Sequence, residues 1–191
     1  DIMFPISRII WFLFLILPGL VALPAVAQDK WQEASANVVR LAPASFEQLP
    51  PLVVADLEAR QCTIPQTFTK REPHNVVSGS FIKPGQIDWA ILCSRKGFST
   101  ILVYPSGRVQ SVQELATESD HGYLQVIDGE GTIGFSRKID RASIDRVKRR
   151  RSPSVPTTSI DKDGIEDIFV EKASVIRYLY RGKWTEFIGL D

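Results

Sequence analysis

The sequence predicts an α+β fold: an antiparallel β-sheet built from two related hairpins and intervening strands, with one N-terminal helix and one short basic helix. Short β-type runs separated by Gly and Asp fill most of the chain after residue 75. Their connections of two to six residues favour antiparallel hairpins over parallel crossovers. With 44% apolar and 24% charged residues, the composition is that of a globular protein, and residues 45–191 suffice for a single domain.

Residues 1–27 have the form of an export leader, or signal peptide. Arg8 precedes an unbroken apolar run over residues 9–17, and Ala25-Val26-Ala27 supplies the small-x-small pattern that a signal peptidase needs. We therefore expect cleavage after residue 27, so that the mature chain begins at Gln28.

A membrane anchor over residues 9–27 is the alternative interpretation of the same apolar segment. Pro18, Gly19 and Pro24 interrupt its second half, however, and this disfavours a continuous spanning helix. We expect an exported protein, periplasmic or extracellular, with no permanent membrane span in its mature form.

Cys62 and Cys93 are the only two cysteines of the chain. Because an oxidising compartment permits a disulfide, we predict that they pair and close a loop of about 30 residues. Two separate buried thiols are the alternative. A reactive or metal-binding pair fits the sequence less well, since there is no CxxC motif and His74 and His121 lie far from any ligand spacing.

The elements follow in chain order. Residues 28–44 show no sustained period and predict a loosely ordered arm. Ser45-Phe46-Glu47-Gln48 has the form of a capping box, and the apolar residues after it predict a helix over residues 51–60. A second, basic helix is predicted over residues 141–150, with Asp140 as its N-cap. Strands are predicted over residues 75–82, 89–94, 100–104, 122–127, 132–136, 165–171, 175–180 and 183–188.

Two segments of the chain echo one another. Gly85-Gln86-Ile87-Asp88 precedes the apolar run Trp89-Ala90-Ile91-Leu92, and Gly164-Ile165-Glu166-Asp167 precedes Ile168-Phe169-Val170-Glu171. We interpret each Gly-x-x-Asp as a turn in which the Asp side chain accepts hydrogen bonds from loop amides before the strand enters the core.

This pattern is similar to the hairpins of FG-GAP and VCBS-type repeats. More broadly, the segment 84–93, together with Lys172-Ala173-Ser174-Val175 and Gly182-Lys183-Trp184, resembles a group of uncharacterised exported bacterial proteins. That broader resemblance implies no activity.

The repeat resemblance also implies a Ca²⁺ loop within residues 161–167. Asp161, Asp163 and Asp167 place three carboxylates around a Gly, a spacing that could wrap a hard cation. We expect no cofactor, and Ca²⁺ at this loop is the alternative. Six to eight oxygen ligands are needed, however, and Ile165 offers only its carbonyl. We favour an Asx-type turn that orders the strand entry without metal.

Charge is segregated along the chain, and residues 137–151 carry eight Lys or Arg against two Asp or Glu. Within this stretch, one cluster could attract an acidic partner or an anionic surface. A solvated helix end, whose cations complement the helix dipole, is the favoured interpretation. Nucleic acid is not expected, because export is predicted and the stretch has no interleaved aromatic residues. The cluster consists of Arg146, Lys148, Arg149, Arg150 and Arg151.

Gly129, Gly131 and Gly134 form a GxGxxG pattern after an apolar strand. Such a pattern binds a dinucleotide phosphate when a helix follows, but here Phe135-Ser136-Arg137 follows. We therefore predict a hairpin turn at Asp128-Gly129.

The sequence shows no GxSxG motif, and only His74 and His121 could serve as an imidazole base. Trp89 and Trp184 are expected to pack in the core or on a sheet face rather than to bind sugars. We therefore expect a non-catalytic binding or structural role in the bacterial envelope or outside the cell. The alternative is a hydrolase acting on envelope or extracellular polymers through a carboxylate pair that the sequence does not single out.

Overall fold

The computed structural model describes residues 25–69 and 72–190, so most of the predicted leader lies outside the described residues. The described part contains three α-helices and twelve strands in four antiparallel sheets, which confirms the predicted α+β class. The helices are α1 (Ala25–Ala36), α2 (Pro51–Ala59) and α3 (Ile144–Arg150). The strands are β1 (Arg40–Leu41), β2 (Ile64–Pro65), β3 (Val76–Gly79), β4 (Asp88–Arg95), β5 (Phe98–Tyr104), β6 (Gln113–Ser119), β7 (Leu124–Val126), β8 (Ile133–Phe135), β9 (Arg137–Ala142), β10 (Gly164–Phe169), β11 (Ala173–Tyr180) and β12 (Lys183–Leu190). Short 3-10 turns lie at Pro43–Ser45, Pro105–Gly107, Val109–Ser111, Asp120–Tyr123 and Thr157–Ser159.

Two four-stranded antiparallel meanders form the body of the fold. The first sheet has the strand order β3-β4-β5-β6 and the second the order β12-β11-β10-β9, while β1–β2 and β7–β8 are separate two-stranded sheets. The hairpins β4–β5 and β11–β12 turn at Lys96-Gly97 and Arg181-Gly182, and all four of these residues have positive φ. Positive φ at both central residues is the geometry of a type I′ turn, which matches the right-handed twist of the strands. The prediction of antiparallel hairpins is confirmed.

The two echoed segments do not have the same structure. Asp88 stands at the start of β4, and its carboxylate accepts hydrogen bonds from the main-chain N–H groups of Ile82 (2.8 Å) and Ser106 (2.9 Å). This is the role predicted for the Asp of the Gly-x-x-Asp pattern. In contrast, the segment 164–167 lies inside β10, so the predicted turn is wrong there. A Cβ on Gly164 would lie 2.8 Å from Cγ2 of Ile176. This glycine is therefore needed for the close approach of β11.

Both faces of the first sheet are buried, which explains the uninterrupted apolar run in β4. On one face, Ile91 packs in a cluster with Val53 and Leu57 of α2. On the other face, Leu92 belongs to an inter-sheet cluster that includes Ile165 of the second sheet. A third cluster joins the far face of the second sheet to α3 and the loop after it, and its buried members are Ala142, Val147, Val155, Ile160, Ile176, Tyr178 and Phe187.

The segment 28–44 is more ordered than predicted. Most of it belongs to α1 and β1, and β1 pairs with β2. Trp31, Ala34 and Val38 pack against the inter-sheet cluster. The segment lacks a strong hydrophobic periodicity because much of α1 faces solvent and only a few of its positions contact the core. Its order comes from those tertiary contacts.

α2 begins at Pro51 as predicted, but the capping residues of both predicted helices and the start of α3 differ from the prediction. The N-cap of α2 is Pro50, and Ser45 of the expected capping box lies in a 3-10 turn instead. In α3 the N-cap is Ser143, whose hydroxyl accepts a hydrogen bond from the N–H of Arg146. Asp140, the expected N-cap, lies within β9. The strands β9 and β6 were not predicted. Both contain few apolar residues, so neither shows the alternation of apolar and polar residues that indicates a strand.

Arg137 is the main polar link between the two large sheets. Its side chain is fully buried, and its Nε and one terminal nitrogen donate to the Asp167 carboxylate at 3.1 and 2.9 Å. The remaining donors reach the first sheet, at the carbonyl (2.6 Å) and hydroxyl (3.0 Å) of Ser99 and the carbonyl of Ala116 (2.6 Å). Burial acts to lower the pKa of Arg137, but the hydrogen bonds and charge of Asp167 outweigh it and hold that pKa above its ordinary value.

Two backbone irregularities serve this junction. Ala116 has a φ of 51° at a point where the β5–β6 register shifts, and its carbonyl accepts from Arg137 there. Asn75, buried and with a φ of 70°, donates through its side-chain amide to the carbonyl of Pro65 (2.6 Å) and accepts from the N–H of Ile139 (2.9 Å). Asn75 therefore ties β9 to the chain that leads into the first sheet.

Cys62 and Cys93 form the predicted disulfide, which joins the segment after α2 to β4. The main chain reinforces this attachment, since Thr63 and Ser94 exchange hydrogen bonds of 3.0 and 2.8 Å. The bond holds α2 against the outer face of the first sheet.

Removal of the disulfide should destabilise the protein strongly. The two cysteines are 31 residues apart, and a loop of this length stabilises the fold by about 3–4 kcal/mol through the entropy of the unfolded chain. The free energy of urea unfolding, compared between the wild type and the double variant Cys62→Ala/Cys93→Ala, measures the effect. Equal stability of the two proteins would contradict this account.

Substitution of Arg137 tests the junction between the sheets. Arg137→Met leaves the buried Asp167 without its main partner, so we expect a loss of about 3–5 kcal/mol in the free energy of unfolding. The exposed Arg108→Met serves as the control and should change stability by less than about 0.5 kcal/mol. The double variant Arg137→Met/Asp167→Leu should lose less stability than the sum of its two single changes. Strict additivity would show that the pair is not coupled.

Candidate functional site

A largely apolar groove runs between α1 and the β7–β8 hairpin. It has a volume of about 420 Å³, within the range of pockets that hold small-molecule ligands. Among the described residues that line it there is no Asp, Glu, Lys, Arg, His or Cys. The lining consists of Ala34, Asn37, Val38, Val39, Leu41, Gln66, Thr67, Phe68, Pro73, Ile127, Ile133, Gly134 and Phe135.

The buried polar side chains of the groove are already hydrogen-bonded within the protein. The Gln66 amide nitrogen donates to the carbonyls of Ile64 (3.0 Å) and His74 (3.1 Å), and its oxygen accepts from the N–H of His74 (2.9 Å). The Thr67 hydroxyl lies 3.0 Å from Nε2 of His74. Asn37, in contrast, is exposed at the rim. The buried part of the groove therefore offers a ligand mainly apolar surface.

His74 supports this wall of the groove through hydrogen bonds at both of its ring nitrogens. Its Nε2 accepts a hydrogen bond from the main-chain N–H of Thr67 (2.8 Å), which requires the proton on Nδ1. Nδ1 in turn donates to the carbonyl of Glu72 (3.0 Å). Because the Nε2 lone pair is committed to this amide, His74 is poorly placed to activate a nucleophile. His121 is exposed and lies beside Trp31, with 6.2 Å between ring centroids.

The glycine pattern forms the hairpin that carries one wall of the groove, so the predicted turn is confirmed. The Asp128 carboxylate accepts from the main-chain N–H groups of Glu130 (3.0 Å) and Thr132 (2.9 Å). Hydrogen bonding from Thr132 lowers the pKa of Asp128. On the next strand, a Cβ on Gly134 would lie 2.9 Å from Cβ of Phe68. The absence of a side chain at Gly134 therefore lets the hairpin approach the opposite wall.

Beside the groove lies a second, more polar depression of about 480 Å³. Ala34, Asn37 and Ile133 line both, so the two depressions adjoin along α1, and we refer to them together as the trench. Of the residues that the structure describes, three charged ones, all exposed, line the outer part: Lys30, Glu33 and Glu130. The trench therefore has an apolar inner part and a charged mouth.

The three carboxylates of the predicted Ca²⁺ loop have separate protein partners. Asp167 binds Arg137, and Asp163 accepts from the main-chain N–H of Ser80 (3.1 Å). Asp161 lies near the Lys162 ammonium, at 3.2 Å. Across residues 25–69 and 72–190, no group of three His, Cys, Asp or Glu residues is arranged to hold a metal ion. Ca²⁺ binding stays a prediction that this arrangement does not favour, because Asp167 sits in a strand that turns it inward.

The basic cluster is divided by the fold. Arg146 donates to both carboxylate oxygens of the buried Glu166, at 2.6 and 2.5 Å, and so attaches α3 to the second sheet. Arg151 donates to the carbonyls of Lys148 and Val155, and Lys148 is half-buried. Only Arg149 and Arg150 of the cluster are exposed. An anionic partner for these cations stays a prediction.

The buried carboxylates serve the fold. Asp88 caps loop amides, while Glu166 and Asp167 bind arginines. Asp120 accepts from the Ser94 hydroxyl (2.5 Å) and from Arg40 (3.2 Å). Its second oxygen has no partner among the described protein atoms, but Asp120 is 1% exposed and does not line the groove. These buried carboxylates therefore do not form the pair that the hydrolase alternative needs across a cleft.

The two tryptophans occupy packing positions. Trp89 lies against the cluster under α2, and Trp184 lies against the inter-sheet cluster, where its indole N–H donates to the side chain of Gln113 (2.8 Å).

The groove could not be predicted from the sequence, because α1 was not predicted and nothing in the sequence marked Phe68 as a neighbour of the β7–β8 hairpin. The apolar residues of the β7–β8 hairpin were the available signal, but periodicity alone does not say which layer they meet.

Comparison of the chain with family models, with curated proteins and with solved structures finds no match. Within the described residues, no helix combines the length and apolar character needed to cross a bilayer. The geometry of the groove is therefore the feature from which a function can be proposed.

Two glycines of one hairpin give a matched test of the groove wall. Gly134→Ala places a methyl group against Phe68 and Ile127, so we expect a loss of about 1–3 kcal/mol from overpacking. Gly129→Ala meets no atom within 4 Å and should change stability by less than about 0.5 kcal/mol. Urea unfolding followed by circular dichroism measures both, and equal losses would contradict the close approach at Gly134.

Proposed function

We propose that this protein is a non-catalytic binding domain whose ligand site is the apolar groove between α1 and the β7–β8 hairpin. The observation that carries the proposal is the lining, which is apolar and contains no ionisable side chain among its described residues. General acid–base and nucleophilic catalysis need such groups close to the bound molecule. The charged side chains nearest the groove, those of Lys30, Glu33 and Glu130, are exposed to solvent in the outer part of the trench. A site of this composition binds apolar surface instead.

The proposal places the protein in the bacterial envelope or outside the cell. The disulfide supports this setting, since a Cys62–Cys93 bond persists in an oxidising compartment. The leader-like pattern of residues 1–27 supports it from the sequence. A role as an exported binding module is consistent with both observations.

A hydrolase is the weaker proposal. It would need an acid pair flanking a substrate cleft, with one carboxyl protonated. The buried carboxylates instead bind arginines, a hydroxyl or loop amides, and none of them lines the groove. Glu33 and Glu130 line the outer part of the trench, but both are exposed to solvent there. The geometry therefore favours binding over hydrolysis.

A pair of substitutions on one helix tests the proposed site. Ala34 is half-buried and lines both parts of the trench, so Ala34→Phe should fill the groove. Ala36 is exposed on the same helix and does not line the trench, so Ala36→Phe adds the same ring without blocking the site. The probe is the uncharged apolar dye N-phenyl-1-naphthylamine, titrated by fluorescence into the protein as it accumulates on expression of the full chain.

We expect saturable binding by the wild type and by Ala36→Phe, and a Kd that is about tenfold or more weaker for Ala34→Phe. Circular dichroism spectra and thermal unfolding of the three proteins establish that the folds are intact. Equal affinity in all three proteins, or no saturable binding by the wild type, would overturn the proposal.

A further inference from the structure

We infer that the trench takes a single-chain amphiphile, with its alkyl chain in the apolar groove and a head group without negative charge at the mouth. The inference rests on the proposed function and names the class of ligand. Three observations carry it: the change from apolar to polar lining along the trench, the pairing of its main-chain groups and the charges at its outer end.

The trench changes from apolar to polar along its length. Its lining on α1 and the following turn extends from Lys30 to Val38, which corresponds to about 12 Å at the rise of an α-helix. The Val38 end is apolar, and the Lys30 end is polar. Val39, which is 62% exposed, adds an apolar residue at the rim. A molecule with one apolar chain and one polar end matches this gradient.

The main chain around the groove favours an alkyl chain over an extended peptide. A peptide that binds by strand addition needs unpaired N–H and C=O groups along an edge. Here the N–H of Gln66 donates to the carbonyl of Val39 (2.8 Å), and that of Phe68 donates to the carbonyl of Phe135 (3.1 Å). At the hairpin, the N–H of Ile127 donates to the carbonyl of Thr132 (2.9 Å). An alkyl chain needs no hydrogen-bond partner, so it loses no hydrogen bond when it binds in this groove.

The mouth selects against an anionic head group. Among the described residues that line the mouth, Lys30 contributes one positive charge, while Glu33 and Glu130 contribute two negative charges, which leaves an excess of one negative charge. All three side chains are exposed, so the selectivity is modest and sensitive to salt. A fatty-acid carboxylate meets net repulsion there, whereas an uncharged glycerol ester or a quaternary ammonium does not.

Three probes with the same chain length test the inference by displacing the bound dye: 1-monodecanoylglycerol, decyltrimethylammonium and decanoate. At about 10 mM salt, where charges act over about 30 Å, decanoate should bind roughly threefold or more weakly than either other probe. Raising the ionic strength should shrink that difference. Ala34→Phe should weaken displacement by all three probes, because each uses the same groove.

Reversal of one charge supplies the decisive comparison. Glu130→Lys leaves two cations and one anion at the mouth, so decanoate should become the tighter binder relative to decyltrimethylammonium. Glu58→Lys is the control, since Glu58 is exposed on α2 and does not line the trench, and it should leave the order unchanged. An unchanged order in Glu130→Lys, or equal affinity of the three probes for the wild type, would overturn the inference.

Failure of this inference can be distinguished from failure of the proposed function. If Ala34→Phe abolishes dye binding but the probes show no charge preference, the groove is the binding site and the ligand class is wrong. If the probes do not displace the groove-bound dye at all, the ligand is not an alkyl amphiphile. If Ala34→Phe leaves dye binding unchanged, both proposals fall.

Discussion

The arrangement of the two large sheets depends on the hydrogen bonds that the buried guanidinium of Arg137 donates to both of them. Its five N–H donors are divided between Asp167 in the second sheet and Ser99 and Ala116 in the first. A buried charge is costly unless every donor is satisfied, and this requirement restricts the relative position of the two sheets more tightly than apolar contacts do. The positive φ of Ala116 belongs to the same requirement, because the irregular backbone there presents a carbonyl to Arg137.

The groove is a consequence of how the inter-sheet core is closed. α1 and the β7–β8 hairpin both pack against the cluster between the sheets, α1 through Trp31 and Ala34 and the hairpin through Leu124, Ile133 and Phe135. Because these two small elements touch the core side by side without filling the space between them, apolar residues remain accessible along α1. The polar groups nearby, including Gln66 and His74, are used to hold the loop in place. Recognition is thus left to shape and apolar surface.

Several residues had a correct chemical interpretation and an unexpected partner. Asp167 was expected to serve a calcium loop, yet its charge is balanced by a buried arginine that lies 30 residues earlier in the chain. Arg146 was assigned to a solvated basic cluster, and instead it anchors α3 through Glu166. In both cases the sequence assigned the charged side chain to a group of residues close to it in the chain. The contact that governs its role comes from a distant strand, which periodicity and spacing do not reveal.

From the sequence alone, the α+β class, the antiparallel hairpins and the Cys62–Cys93 pairing could be predicted, because each depends on short-range patterns or on a count of two cysteines. The groove, the order of α1 and the roles of Arg137 and Asn75 could not. These features exist only where strands far apart in the chain meet and must satisfy each other's buried polar groups. Local composition determines which elements form, whereas the packing of the layers decides which surfaces remain open to a ligand.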